Sequence, residues 1–147
     1  MPTSPPAAAA SAVDLPALQD ALGRVFAPWL AELDLRVERA RAGEVTLSLP
    51  VAPRHVHAGG VLCGQTLMAA CDTAMVLAVM TRIGAFKPMT TVQLQTSFLH
   101  PVAGDSGSVA VVARVLRLGR RLVFGEVEVL DAGGELAAHA TVTCALL

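Results

Sequence analysis

Asp72 is the one carboxylate in the apolar run from Val61 to Met80, where the only other polar side chains are Gln65, Thr66 and Thr73. An ionised aspartate in such surroundings must be paired, neutralised or open to a cleft. Buried ionisable groups of this kind cluster at functional sites, which makes Asp72 the leading candidate for chemistry. A structural carboxylate bonded to Thr90, Thr91 or a histidine is the simpler alternative. The loop leading into the run carries His55 and His57, and Cys63 stands at its start. A thiol beside imidazoles at a helix N-terminus offers a nucleophilic pairing, but no Cys-His signature accompanies it, so it ranks below Asp72. Cys71 and Cys144 read as small buried hydrophobes. The three cysteines lack metal-ligand spacing and no nucleotide fingerprint occurs, so neither a metal nor a cofactor is expected.

The elements that must position these residues follow from periodicity. Apolar residues fall on every side of the projected 61–80 helix, which predicts a buried helix rather than a surface one. Its length would also suit a membrane span, but Asp72, Gln65 and the strand-like flanks argue for a soluble core. Before it, Asp14 caps a predicted helix from Leu15 to about Leu33, with Pro16 tolerated in the first turn and Pro28 bending it near Ala27. Alternation in DLRVERARAGEVTLSLP predicts a hairpin turning at Ala42 and Gly43. After the helix come strands over 90–99, 106–116, 121–130 and 135–146, read as a four-stranded meander, with Val127 and Val129 inward and Glu126 and Glu128 outward. Strict alternation puts Thr91 on one face with Gln93 and Gln95, and Thr90 with Val92 and Leu94.

With 147 residues and no internal linker, the chain suits one domain over 14–147, preceded by a Pro/Ala/Ser-rich tail over 1–13 that takes no part in the fold. The tail lacks a basic n-region and a leucine-rich core, so it is not read as a signal peptide. A net charge of -1 with scattered Lys and Arg excludes an electrostatic footprint for nucleic acid or an anionic membrane. Reduced cysteines fit a cytoplasmic protein. The apolar surplus suits subunit interfaces.

Helix, hairpin, long buried helix and strands together describe an α+β chain whose antiparallel sheet, of about five to six strands, wraps one long central helix, with an extra N-terminal helix. This layout resembles the hotdog fold, and residues 57–101 resemble the PaaI-like branch of hotdog acyl-CoA thioesterases. That branch carries an Asn, a His-Gly-Gly helix start, an Asp on the helix and a later Ser or Thr. On this chain those positions fall on His57, on Cys63, Gly64 and Gln65, on Asp72, and on Thr91. The resemblance implies thioester hydrolysis, with Asp72 as general base or nucleophile and the Gly64 amide as oxyanion donor. It also implies that His57 replaces the Asn and that Thr91 supports the aspartate. Thr90, which ranks close behind Thr91, is a candidate for substrate contact with Gln65 and Cys63. Arg120 and Arg121, with Arg117 in the RLGRR turn, could meet the phosphates of coenzyme A, or form an exposed basic turn.

Spacing adds a constraint. Gly64 and Asp72 stand about 12 Å apart along a helix, too far to share one carbonyl within a chain. The expectation is a homodimer, or a dimer of dimers, in which Gly64 of one chain meets Asp72 and Thr91 of the other. The rival readings are a hotdog hydratase or dehydratase, whose loop His and helix acid His57 and Asp72 would match, and a non-catalytic acyl-CoA binding domain.

Overall fold

The computed structural model describes Met1 and residues 8–147. Strands β1 (Arg36–Arg41), β2 (Glu44–Pro50), β3 (Met89–Phe98), β4 (Ser108–Leu118), β5 (Leu122–Leu130) and β6 (Leu136–Leu146) form one antiparallel sheet. Helix α1 (Leu15–Arg24) precedes the sheet in sequence, and α2 (Gly64–Ile83) lies against its inner face. Alternation drives this packing. Leu47 and Leu49 of β2, Val109 and Val111 of β4, Val127 and Val129 of β5, and Ala140 and Val142 of β6 all turn inward onto Ala70, Ala74, Leu77 and Ala78 of α2, and all are buried. Although α2 has the length and hydropathy of a membrane span, two-thirds of that window is buried inside the protein.

The sheet order is β1-β2-β4-β5-β6-β3, which corrects the expected meander. β3 pairs with β6 at one edge, not with β4, and residues 99–107 carry the chain across to β4 beside β2. Alternation reveals strands and their faces but not their neighbours. The tight β4–β5 and β5–β6 turns do join adjacent strands, whereas the longer 99–107 connection leaves room for the crossover.

Two helix boundaries differ from expectation. α1 ends at Arg24 and Pro28–Leu33 forms a separate 3-10 turn, since proline cannot donate into a continuing helix. The Asp14 cap is present, its carboxylate accepting from Ala17 N at 2.9 Å. α2 begins only at Gly64, because Val61 and Leu62 are held in β-bridges to Ala103 and Val56 and Cys63 is extended. Gly84, at φ 94°, stops it in the left-handed conformation that glycine tolerates.

Of the expected tail, residues 2–7 lie outside the described residues. Beyond them, Ala9 O accepts from Ala42 N and Ala12 N donates to Thr81 O, both at 2.9 Å, so this part is bound to the domain.

Gly125 of β5 leaves room for the Met75 side chain of α2. A Cβ there would lie 2.5 Å from Met75 Sδ and 2.8 Å from the Arg114 carbonyl oxygen. Gly125→Ala is therefore expected to destabilise the protein by about 1–3 kcal/mol, read as a lower denaturation midpoint with an unchanged slope.

Candidate active site

Asp72 sits midway along α2, half-buried, and its Oδ1 accepts a hydrogen bond from Thr91 Oγ1 at 2.6 Å. The strand geometry that brings Thr91 there differs from simple alternation. Thr91 pairs with Cys144 and Gln93 with Thr143, so Val92 is the extra residue of a β-bulge. Across the bulge the facing changes. Thr91 stands opposite inward-facing Cys144, while Gln93 and Gln95 stand opposite Thr143 and Thr141 on the outer face. This corrects the expected sharing of a face by Thr91, Gln93 and Gln95. Thr90 is exposed opposite Ala145 and takes no part in the Asp72 bond.

The surroundings of Asp72 are apolar enough for its charge to reach both neighbouring thiols. Burial, and then the Asp72 carboxylate, push the Cys71 thiol up to about 12. Cys144 is raised by burial and then by Asp72, partly offset by its interaction with the Thr91 hydroxyl. Both thiols stay protonated and both are fully buried, whereas Cys63 is partly exposed. Thiol labelling of the native protein at neutral pH is therefore expected to modify Cys63 first. Mass spectrometry of the labelled peptides checks it, and Cys71 or Cys144 reacting as fast as Cys63 would contradict the packing.

The other half of the candidate site is the start of α2. Cys63 is the N-cap in extended conformation, and Gly64 and Gln65 open the first turn, whose amides have no intrahelical partner. The positive end of the helix dipole thus faces outward with free donors, an arrangement suited to an oxyanion. Phe98, half exposed at the end of β3, lies over Gly64, and a Cβ on that glycine would meet its Cζ at 3.1 Å. A cavity of about 400 Å³ opens here between Gly64, Leu67, Phe98, Leu99 and Val102. Leu67 belongs to the buried core and borders this mouth from inside, whereas Phe98 is half exposed.

Thr66 is a member of this end that sequence reasoning missed. Its Oγ1 lies 3.0 Å from Cys63 Sγ and 3.3 Å from His55 Nδ1. His55 Nε2 donates to the Glu32 carbonyl at 2.9 Å, so in the neutral ring Nδ1 is the acceptor and the chain of donors runs from Cys63 through Thr66 to His55. Only the i to i+3 spacing of Cys63 and Thr66 on one helix face hinted at this.

The remaining predicted residues are dispersed. His57 is exposed, and its Nδ1 accepts from Gly59 N at 2.9 Å, which leaves Nε2 as the free edge of the ring. Gln65 is exposed. Arg117, Arg120 and Arg121 are exposed around the β4–β5 turn, near the C-terminal end of α2, where Arg121 O accepts from Leu146 N and Pro88 O from Leu147 N. Within one chain, then, Asp72 meets Thr91 and Gly64 meets Phe98, and the two centres remain separate.

Residues 59–138, which span the helix start, Asp72 and Thr91, match the family model of the Thioesterase superfamily. The chain belongs to the thioesterase superfamily. It is 32% identical over 108 residues to a protein named as a putative esterase in Saccharolobus solfataricus, covering 74% of this thioesterase and 75% of that protein. The fold agrees with a Haemophilus influenzae thioesterase at a TM-score of 0.80 and 20% identity, covering 91% and 90% of the two chains. It agrees too with a hypothetical thioesterase of Streptococcus pneumoniae solved with coenzyme A, at a TM-score of 0.71 and 20% identity over 77% and 85%. The thioesterase has the hotdog architecture, and its activity class is hydrolysis.

Proposed function

We propose that the chain hydrolyses acyl-CoA thioesters to a free acid and coenzyme A. The observation that carries this reading is the hydrogen bond from Thr91 of β3 to Asp72, the one carboxylate of α2. Thr91 occupies Oδ1 and so orients the carboxylate, leaving Oδ2 as the basic edge. In the proposed reaction, Asp72 takes a proton from water as the water oxygen attacks the thioester carbonyl. The carbonyl oxygen becomes an oxyanion on the Gly64 amide of a second chain. Collapse then breaks the C–S bond, and the departing thiolate takes up a proton. Direct attack by Asp72, giving an anhydride that water opens, uses the same geometry.

A second chain follows from the roughly 12 Å between Gly64 and Asp72 along the helix. Edge strand β3 supports that reading, since among the described residues it presents one unpaired edge, with the exposed apolar residues Val92 and Phe98 on it and Leu99 just after it. The proposed assembly is a homodimer or a dimer of dimers with the site at the subunit interface. The coenzyme A in the Streptococcus pneumoniae thioesterase supports a CoA substrate. Arg120 and Arg121 are proposed to meet its phosphates, and Cys63, Gln65, His57 and Thr90 the acyl end or its carbonyl.

The test is free-thiol release from a panel of acyl-CoAs. Turnover that Asp72→Ala abolishes is expected, while binding without turnover would contradict hydrolysis. Thr91→Val is expected to lower kcat by roughly 10- to 100-fold with little change in KM, because a hydrogen bond to a charged group is lost at the base. Steady-state kinetics with one good substrate would show this, and an unchanged kcat would remove Thr91 from the mechanism.

A further inference from the structure

Away from Asp72, the segment after β3 and the β5–β6 turn bring together His100, Asp131 and Glu135. We propose that these three side chains form a binding site for one divalent transition-metal ion of the Zn²⁺ class. His100 Nδ1 donates to the Pro101 carbonyl at 2.9 Å, so in the neutral ring Nε2 carries a bare lone pair. A backbone carbonyl on Nδ1 is also the arrangement that orients a ligating histidine. Asp131 Oδ1 is saturated by the amides of Gly133 and Glu135, both at 2.9 Å, which fixes the carboxylate and leaves Oδ2 over.

These leftover atoms converge. Nε2 lies 3.3 Å from Asp131 Oδ2 and 3.8 Å from Glu135 Oε2. Two ligands held at about 2.1 Å in tetrahedral geometry stand about 3.4 Å apart, which the His100–Asp131 spacing matches. All three donor atoms lie within 4.8 Å of one another, within reach of one ion once Glu135 adjusts. The Nε2 atom is shielded from solvent and yet makes no hydrogen bond among the described residues, even with carboxylate oxygens this close. An imidazolium–carboxylate pair would align one N–H on one oxygen, whereas here the nitrogen is near both carboxylates and aligned with neither. One imidazole and two carboxylates make a donor set for first-row divalent ions rather than for Mg²⁺, which prefers oxygen alone. A cavity of about 380 Å³ borders the cluster, with room for water in the remaining coordination positions. Glu135 is 80% exposed and can adjust its rotamer to complete the site.

The site has a structural consequence. His100, Pro101 and Val102 line both this cavity and the one at Gly64. A bound ion would tie the β5–β6 turn to the wall of the candidate acyl mouth.

The experiment is thermal unfolding of the tag-free full chain with increasing Zn²⁺, alongside native mass spectrometry for stoichiometry. The expected result is one Zn²⁺ per chain and a Tm rise of roughly 5–10 °C at a concentration about 100-fold above Kd, reversed by EDTA. His100→Gln should abolish both. Asp131→Asn should do the same, because the Asn side-chain oxygen can still accept from the two turn amides and keeps the turn intact. An unresponsive wild-type protein, or an equal response from His100→Gln, would overturn the proposal.

Discussion

Asp72→Asn is expected to lower kcat for thioester hydrolysis by about 10²- to 10⁴-fold, the range of a positioned acid–base group, while the protein remains folded. Asparagine matches the aspartate in volume, and its side-chain oxygen can still accept the Thr91 hydroxyl that now binds Oδ1 at 2.6 Å. The substitution therefore removes the basic edge of the carboxylate and little else. Its second effect is on the neighbouring thiols. The Asp72 charge contributes to the raised values of Cys71 and Cys144, so both should fall in the variant, with burial still holding Cys71 high. A purely structural Asp72 predicts the opposite pattern, with kcat nearly unchanged and stability lost. Urea unfolding together with steady-state kinetics separates the two.

Gly64→Pro is expected to lower kcat by about 10²- to 10³-fold, the usual loss on removing one oxyanion donor. The choice of proline follows from the helix start. Gly64 is the first residue of α2, where an N–H has no intrahelical partner and proline is well tolerated. Proline also restricts the preceding residue to extended conformations, and Cys63 is already there at φ -72° and ψ 148°. The helix should persist and only the amide donor should be lost. The new ring must displace Phe98, whose Cζ lies 3.1 Å from the position of a Cβ on Gly64, and a Gly64→Ala control gauges that crowding without removing the donor. If proline is no worse than alanine, the Gly64 amide is not the oxyanion donor.

The strongest signals in the sequence were those with a single physical cause. Apolar residues on every side of the run around Asp72 marked a buried helix, and the strict alternation of β2 and β5 placed their inner faces correctly. Asp14 marked a helix start through the cap that it forms. What the sequence left open depends on long-range pairing. Nothing local says that β3 leaves β4 and pairs with β6, because neighbour choice is decided by how the whole sheet covers α2. The bulge at Val92 is equally silent, and it alone turns Thr91 toward Asp72 while sending Gln93 outward. The family motif and alternation both favoured Thr91, but alternation grouped it with Gln93 and Gln95, from which the bulge separates it. Phe98 and Thr66 were hidden for a related reason. One is an apolar strand residue and the other a helix residue, and only three-dimensional placement reveals the first as a lid on Gly64 and the second as a link between Cys63 and His55.

The central claim is that one site is built from Gly64 of one chain and Asp72 of another. Co-expression of Asp72→Ala and Gly64→Pro chains tests it most directly. Random pairing into dimers makes half of them mixed, and each mixed dimer holds one intact site and one doubly broken site. The account predicts recovery to about a quarter of wild-type turnover from two nearly inactive parents. Activity no higher than that of either parent, in a preparation shown by native mass spectrometry to contain mixed dimers, would contradict it.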